Sequence, residues 1–409
     1  MSNFPFPEAA WEETCIARLG VAHLTRMAFQ GIDLFGLWTQ MMDKVTDDKP
    51  GSGLGMDLSI IAQLRGDKPT GLAIQQDSLN LHQLFATGAK PAPSTLRVLA
   101  LAAASDIGAN TPLDFLVAGQ DIALATLYLG PDVPLPEQIP AHDVAIVVAP
   151  ASADGEYALT VIETLAVDWP VPVLNAPAQI REMERDRLYR NLDGVAGLVI
   201  PPTLRKTRQE LEEKLEDGSA LDYPVIIRPF GSHAGRGLER LENAGALEAY
   251  LAARDEDGFF VSPYVDYSSA DGLFRKYRIA MIDGRPFPVH MATADQWKVW
   301  YLNADMALSA KNRAEEAKWM QFFDESFGRR HAKAFAEMAT RIGMEYFLID
   351  CAETKDGRLL IFEADHCAIV HDMDPVNVYP YKPGAMKKLF EAFGAMLTRR
   401  AAKTAAHAA

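Results

Sequence analysis

Cysteine is scarce in this chain of 409 residues and occurs only at Cys15, Cys351 and Cys367. An odd number of cysteines without any CxxC pair argues against a disulfide framework and favours a reducing compartment. The chain begins MSNFPFPEAAWEE, which lacks the basic and apolar regions of a secretion signal. It also lacks an uncharged apolar run of the roughly 20 residues that a membrane helix needs. These absences predict a cytoplasmic protein with no membrane partner.

Positive charge is in deficit, since 40 Lys and Arg residues stand against 55 Asp and Glu residues, for a net charge of −15. Such a surface repels nucleic-acid phosphates on average, so we expect no nucleic-acid partner, although a local basic pocket is allowed. Two nucleotide signatures are also missing. There is no GxGxxG, which excludes the usual nicotinamide enzymes, and no GK[ST] completes a P-loop.

The pattern of apolar residues changes along the chain. Residues 1–90 show helix-like spacing and predict a helical extension, whose Met and aromatic residues form core or a homodimer surface. Residues 94–190 alternate continuous apolar runs with a helical segment, which predicts a parallel sheet and an α/β fold. Residues 191–395 predict a further domain of hairpins and charged helices. The low-complexity residues 396–409 predict a flexible tail.

The strongest chemical signal is a predicted hairpin at 345–366. Asp350 ends its first strand, and Glu363 and Asp365 stand two residues apart on its second. Because side chains alternate along a strand, Glu363 and Asp365 share a face, and a turn at Asp356-Gly357 brings Asp350 beside them. Carboxylates between apolar flanks need cations to stay ionised. Oxygen ligands suit Mg²⁺, which usually also keeps substrate phosphates. A solvated sheet face is the alternative.

A glycine-rich loop, GSHAGRG, occupies residues 231–237. Its glycines allow backbone N–H groups to approach phosphate oxygens closely, and Arg228 on the preceding strand supplies a cation beneath the loop. A structural turn with a solvated arginine is the alternative. The phosphate-binding residues predicted here are Arg228, Gly231, Ser232, His233, Gly235 and Gly237.

Two further segments add to this signal. Lys276 and Arg278 share one face of a strand, and two cations opposite three carboxylates are suited to clamping a triphosphate, so we assign them catalytic roles. In VSPYVDY (261–267) a strand stops pairing at Pro263 and exposes backbone groups that can contact an adenine edge. Asp266 or Asp271 is then placed for the ribose hydroxyls.

His366, Cys367 and His371 allow a competing interpretation as a soft-metal cluster, although the spacing H-C-x3-H is not a standard zinc pattern. The favoured interpretation places His371 and Asp372 at the substrate end of the pocket, with His371 in a catalytic role. A solvated loop capping the last helix is the alternative.

In this order the motifs resemble the ATP-grasp superfamily, in particular D-alanine–D-alanine ligase, the RimK-like amino-acid ligases and an uncharacterised bacterial branch. The resemblance covers about 94–392 and rests on VLNAP…RD before PPT, IIRPFGSHAGRG, RKYRIAMIDG and IDCAETKDGRLLIFEAD. It implies an ATP-grasp fold of two α+β subdomains behind a parallel-sheet domain. It also implies ATP with two Mg²⁺ ions, or Mn²⁺, as cofactors. The implied reaction transfers the γ-phosphoryl group to a carboxylate of an amino acid or peptide, and an amine then attacks the acyl-phosphate.

The resemblance also assigns single residues. Arg228 replaces the usual strand lysine, Arg205 or Lys206 is the earlier phosphate-binding cation, and the adenine hinge comprises Ser262, Tyr264 and Val265. Departures occur at Asp365, where the family has Asn, and at Lys276, where RimK-like enzymes tend to have Asp. These departures leave the substrate open. A phosphotransferase without a ligation step and a non-catalytic nucleotide-binding protein are the alternative functions.

Overall fold

The computed structural model describes residues 4–47, 53–88, 90–218, 221–232, 235–300 and 304–408. The chain divides into two compact units. The first comprises Met1–Arg181, Met344–Phe347 and His366–Ala409, and the second comprises Glu182–Gly343 and Leu348–Asp365. Within the described ranges, no helix has the length and apolar character needed to cross a bilayer.

The first unit is built on a six-stranded sheet. The strands of the unit are β1 (Glu8–Ala9), β2 (Ile16–Arg18), β3 (Leu84–Thr87), β4 (Leu96–Ala103), β5 (Ile122–Leu129), β6 (Ile139–Pro140), β7 (Val144–Val147) and β8 (Val173–Leu174). Their order in the main sheet is β2-β3-β5-β4-β7-β8, while β1 and β6 form a separate parallel pair. Only the β3–β5 pairing in the main sheet is antiparallel among the described residues. The predicted parallel α/β sheet is therefore confirmed, and its central strands are apolar because both faces are covered.

Helices surround this sheet. They are α1 (Trp11–Thr14), α2 (Val21–Phe29), α3 (Leu34–Asp47), α4 (Gly53–Leu64), α5 (Lys68–Leu81), α6 (Leu113–Leu116), α7 (Ala153–Ala166), α8 (Pro177–Arg181) and the C-terminal α14 (Lys382–Ala408). Helix α5 starts where the Asp67 carboxylate accepts a hydrogen bond from the Thr70 amide, which satisfies one free N–H of the first turn. Helix α4 is buried along most of its length and packs on α5 and α3.

Two predictions for the ends of the chain are wrong. Residues 1–90 are not helical throughout, because β2 and β3 join the main sheet, and β3 pairs with β5. Pairing with a distant strand overrode the local helical pattern. The predicted flexible tail at 396–409 is helical up to Ala408, and Met396 and Leu397 are fully buried. The last residues of the tail are small or polar, and their composition drew attention away from Met396 and Leu397, which are buried about one turn earlier in the helix.

The second unit contains two sheets with helices. Its elements are α9 (Arg185–Leu192), β9 (Leu198–Val199), β10 (Leu204–Thr207), α10 (Arg208–Glu216), β11 (Val225–Pro229), β12 (Glu239–Leu241), α11 (Ala244–Ala252), β13 (Gly258–Pro263), β14 (Phe274–Ile282), β15 (Arg285–Ala294), α12 (Ala310–Gln321), a π-helical turn (Asp324–Gly328), α13 (Ala332–Ile342), β16 (Tyr346–Glu353) and β17 (Leu359–Asp365). The sheets have the orders β10-β13-β11-β12 and β15-β14-β16-β17-β9.

Both sheets of the second unit consist mainly of antiparallel strand pairs. The four-stranded sheet is antiparallel and buries Ile227 and Phe259 against Leu211 of α10 and Leu247 of α11. Helix α10 begins with a reciprocal capping box between Thr207 and the residue three positions later. In the five-stranded sheet, the two predicted hairpins form as β14–β15 and β16–β17, in antiparallel register. These two sheets carry the predicted site residues of the second unit.

Candidate functional site

The β16–β17 hairpin aligns the three predicted metal-binding carboxylates. Asp350 lies directly opposite Glu363, and Leu348 lies opposite Asp365. Residues two apart on a strand share a face, and so do directly opposed residues, so Asp350, Glu363 and Asp365 lie on one side of the hairpin. A bulge follows Asp350 in the register. The alignment is the one that the alternation of the sequence predicts.

Asp350 is neutralised by the two cations of β14. Its side chain is 2% exposed. Arg278 donates from Nε to Oδ1 at 2.7 Å and from Nη2 to Oδ2 at 3.0 Å, and Lys276 Nζ lies 2.6 Å from Oδ2. Burial alone raises the pKa of Asp350, but Arg278 and Lys276 outweigh that effect and hold the pKa well below its ordinary value. The carboxylate is therefore ionised at neutral pH.

Glu363 faces two further arginines. Arg185 Nη2 donates to Glu363 Oε2, and Arg228 Nη1 lies 3.8 Å from the same oxygen. Burial raises the pKa of Glu363, but the charge of Arg185 leads the opposing effects, and the pKa is lowered overall. Arg185 was missed as a site residue. Arg185 is the arginine of the RD motif in the resemblance, so the sequence did carry a sign of its importance. Its partner Glu363 lies 178 residues further along the chain, and no local pattern connects the two.

Arg228 connects this cluster to the glycine loop. It is 8% exposed and donates from Nε to Ser232 Oγ at 3.1 Å and from Nη2 to the Ser232 carbonyl. Burial, followed by the neighbouring charge of Arg185, lowers the pKa of Arg228 to about 10, so the guanidinium stays protonated at neutral pH. The Arg228 side chain is thus a buried cation and not the solvated arginine of the alternative interpretation.

The described part of the loop depends on glycine. Gly231, Gly235 and Gly237 have φ values of 62°, 71° and 64°, a region that other residues rarely adopt. A Cβ at Gly237 would lie 2.6 Å from Pro229 Cδ, so no side chain fits there. Tyr250 Oη donates to the Gly237 carbonyl at 2.7 Å and fastens the end of the loop to α11. His233, which was also predicted to bind phosphate, lies outside the described residues.

The predicted adenine hinge is only partly open. Ser262 pairs with Ile226 inside the sheet, and the Tyr264 amide donates to the Pro224 carbonyl at 3.0 Å. Val265 makes no backbone hydrogen bond to any residue that the structure describes. The backbone groups of Val265 are therefore available to a ligand, whereas the Tyr264 amide is already used.

The two aspartates predicted for the ribose are engaged in ion pairs. Lys355 Nζ lies 2.6 Å from Asp266 Oδ2, and this hydrogen bond is the main cause that lowers the pKa of Asp266 to about 2. Arg275 donates to both oxygens of Asp271 at 3.0 and 2.8 Å and lowers its pKa. Both are partly exposed, so a ligand hydroxyl could still reach their remaining lone pairs.

The three candidates for the earlier phosphate cation differ in their partners. Arg208 donates to the carbonyls of Leu251, Arg254 and Glu256 and is committed to the backbone. Arg205 pairs with Glu184 and, at 3.0 Å, with Asp186. Lys206 pairs only with Glu210 among the described residues, at 3.0 Å, one helical turn away. A phosphate displaces Glu210 from Lys206 more easily than it displaces the partners of Arg205 or Arg208, because a single surface ion pair is weak.

His371 lies in the first unit, so its relation to the carboxylates of the second stays a prediction. Its Nδ1 accepts a hydrogen bond from the Met373 amide at 3.2 Å. Burial lowers its pKa, which favours the neutral imidazole. Asp372 pairs with Arg26 at 2.6 Å. Both side chains are therefore held in place, although their contacts do not by themselves indicate a substrate.

The soft-metal cluster is not formed by the three residues that the sequence suggested. His366 Nε2 lies 2.9 Å from the Ala149 carbonyl, which can only accept a hydrogen bond. That nitrogen therefore carries the proton and cannot bind a metal. No group of three metal-binding side chains in the described ranges combines His366, Cys367 and His371.

Comparison with known proteins adds a likeness of fold. No protein-family model matches the chain, and no curated protein matches it. The chain is similar to a RimK domain ATP-grasp protein from Sphaerobacter thermophilus, with 15% identity over 74% of this chain and 99% of that one, at a TM-score of 0.43. It is also similar to D-alanine–D-alanine ligase from Bacillus anthracis, with 12% identity over 76% and 99%, at a TM-score of 0.47. A third similar structure is the ATP-grasp ligase PsnB, solved with a precursor variant, Mg and ADP, with 13% identity over 74% and 99%, at a TM-score of 0.41.

These similar structures are ATP-grasp proteins, the superfamily that the sequence motifs resemble. At identities below 25% and TM-scores below 0.5 they carry no argument about what this chain binds or which reaction it catalyses. That argument rests on the side chains of the site.

Proposed function

We propose that this chain is an ATP-dependent carboxylate–amine ligase of the ATP-grasp type. One observation carries the proposal. In the second unit, four basic side chains from α9, β11 and β14 pair with two carboxylates of the β16–β17 hairpin, and one of the four also holds the glycine loop. The four are Arg185, Arg228, Lys276 and Arg278.

Such a cluster suits a triphosphate. Four cations exceed the three carboxylates of the hairpin face by one charge. Phosphate oxygens accept the same charge-assisted hydrogen bonds that Glu363 accepts from Arg185 and that Ser232 accepts from Arg228. Backbone N–H groups of Gly235 and Gly237 add donors without a side chain in the way. We assign Arg228, Arg185 and the loop to the phosphates, and Lys206 to the same role from the edge strand.

The donor set also fits Mg²⁺. Glu363 uses Oε2 for its arginines, while Oε1 has no partner in the part of the chain that the structure describes. Asp350 uses three of about four lone-pair positions, which leaves one on Oδ1. Glu363, Asp365 and Asp350 would hold one or two Mg²⁺ ions, with Mn²⁺ as an alternative. The ions would neutralise charge on the β- and γ-phosphates.

The proposed reaction uses these groups in two steps. An oxygen of the substrate carboxylate attacks the γ-phosphorus, the bond to the β–γ bridging oxygen breaks, and ADP leaves. An amine nitrogen then attacks the acyl carbon, phosphate leaves, and the amine loses a proton. Arg278 and Lys276 stabilise the charge on the transferring phosphoryl group. His371, as a neutral imidazole, is assigned to accept the proton. The substrate is an amino acid or peptide, and a homodimer stays a prediction.

The test is a coupled assay of ADP and phosphate release with Mg·ATP and a panel of amino acids and peptides. A ligase releases both products only when a carboxylate and an amine are present together. A phosphotransferase releases ADP while phosphate stays on the product, and a non-catalytic protein releases neither. Either of these results would contradict the proposal.

A matched pair of variants tests the site itself. Glu363→Gln should abolish turnover, because it removes the carboxylate that faces the phosphates and the metal. Glu353→Gln removes a carboxylate from the same hairpin, where it pairs with Arg330 and His331, and should keep near-normal turnover. Normal ADP release in Glu363→Gln would show that Glu363 is only an ion-pair partner.

A further inference from the structure

Lys276 holds the place beside Asp350 that a divalent ion would need. It lies on β14, which is the neighbour of β16 in the five-stranded sheet. Its Nζ lies 2.6 Å from Asp350 Oδ2, and that oxygen also accepts a hydrogen bond from Arg278 Nη2 at 3.0 Å. A carboxylate oxygen offers two lone pairs. Both lone pairs of Oδ2 are therefore used, and neither is left for a metal.

The other oxygen of Asp350 is no better suited to an ion. Arg278 Nε donates to Oδ1 at 2.7 Å, so an ion on the remaining lone pair would lie beside the guanidinium group. The two positive charges of Lys276 and Arg278 exceed the one negative charge of Asp350, so this group repels a divalent ion. Mg²⁺ also keeps several waters, whereas the Asp350 side chain, at 2% exposure, has almost no contact with solvent.

The ammonium group of Lys276 acts on both carboxylates that an ion bridging the hairpin would use. Asp350 and Glu363 lie directly opposite each other on β16 and β17. Burial raises the pKa of Glu363, and the positive charges of Arg185 and then of Lys276 lower it. Because the Lys276 side chain is only 20% exposed, its ammonium group has little solvent to move into. A positive charge is thus already held close to both carboxylates.

The other end of the carboxylate face is different. Arg185 and Arg228 both face Glu363 Oε2, and Oε1 has no partner in the part of the chain that the structure describes. Asp365 lies two residues further along β17 and shares the face of Glu363. Two carboxylates placed in this way can hold one Mg²⁺ ion, while substrate phosphates and waters complete its coordination.

We propose that the site binds a single divalent ion, held by Glu363 and Asp365, and that the ammonium group of Lys276 takes the place of a second ion. Asp350 then anchors Lys276 and Arg278 and is not itself a metal ligand. A lysine is suited to this role because its ammonium group is a compact point charge. The inference rests on the proposed function, and it narrows the one or two ions allowed there to one.

The experiment counts the Mn²⁺ ions bound to the full chain with a saturating amount of the non-hydrolysable ATP analogue AMP-PNP. Electron paramagnetic resonance measures the free and bound Mn²⁺, and equilibrium dialysis measures the bound nucleotide. We expect one Mn²⁺ ion per bound nucleotide, without the spin coupling of a pair of ions. Two ions per nucleotide, or none, would overturn the proposal while leaving the ATP site intact. If no nucleotide bound, the proposed function would be contradicted, and this inference with it.

Substitutions of Lys276 test the cause. Lys276→Met removes the charge and the donor, so one lone pair of Asp350 Oδ2 becomes available and the number of bound ions should rise from one to two. Lys276→Arg keeps the charge and should still bind one ion. Lys318→Met makes the same change at an exposed lysine of α12 and should also bind one.

A single ion in Lys276→Met, with nucleotide bound and an unchanged circular dichroism spectrum, would refute the role of the ammonium group. Should Lys276→Met fail to fold, the counts in the parent chain and in Lys276→Arg still decide the matter, because two ions in either of them would contradict the proposal.

Discussion

The ion pairs of Asp350 allow a quantitative test of the cluster. The variant Asp350→Asn keeps the shape of the side chain and removes its charge. Arg278 then loses the carboxylate that accepts two of its N–H groups, and the amide NH₂ of the new side chain must face one of the two cations. Breaking a buried pair by removing one partner costs about 3–5 kcal/mol. Because the Lys276 and Arg278 side chains keep 20% exposure, we expect a value near the lower end.

This loss of unfolding free energy corresponds to a shift in the melting temperature, Tm. The second unit has about 180 residues. For that size 1 kcal/mol shifts Tm by about 2–4 °C, so Asp350→Asn should lower Tm by about 6–12 °C. The assay is differential scanning calorimetry without nucleotide. The double variant Asp350→Asn/Lys276→Met should lower Tm by less than the sum of the two single variants. Removing one cation together with the carboxylate partly restores the charge balance.

The control lies on the same hairpin. Asp356→Asn changes an aspartate at the exposed turn, where it pairs with Arg358, and should shift Tm by about 1 °C at most. If the Tm of Asp350→Asn were as close to that of the parent protein as the Tm of Asp356→Asn, the two cations of β14 would not need Asp350 to neutralise them. That result would refute the electrostatic account of the site.

Three further predictions concern other contacts. Arg228→Lys should weaken ATP binding about tenfold in calorimetry, since a lysine lacks the planar fork, while Arg254→Lys should not. Tyr250→Phe should speed hydrogen exchange at Gly235–Leu238, and an unchanged rate would show that its 2.7 Å bond does not hold the loop. Burial lowers the pKa of His142 from 6.5 to about 4. Its contribution to the free energy of unfolding, about 3 kcal/mol, is therefore present above pH 6.5 and is lost as the pH falls towards 4. The fall in Tm over that range should therefore be steeper than in His142→Gln.

Sequence patterns among neighbouring residues predicted much of the fold. The continuous apolar runs of β4 and β5 identified strands covered on both faces, and the turns at Gly284 and Gly357 identified two hairpins. Strand alternation placed Glu363 and Asp365 on one face. Each of these inferences needs only the two-residue period of a strand or the positive φ of a glycine, which neighbouring residues determine.

Inferences that needed a distant partner failed. Phe85 lies in a segment with helical spacing, yet it is fully buried in β3, because pairing with β5 outweighs the local preference. Arg185 had no local sign of its role. In the tail, Met396 and Leu397 pack within the first unit despite a low-complexity sequence around them.

The sequence by itself determined that carboxylates, cations and a glycine loop follow one another in a fixed order, because strand period and turn chemistry are written locally. Only the tertiary structure decided which charge meets which. Asp350 pairs with Arg278, 72 residues away, and Glu363 pairs with Arg185, 178 residues away. Electrostatic and packing energies depend on distance in space and on burial, and neither can be read from separation along the chain.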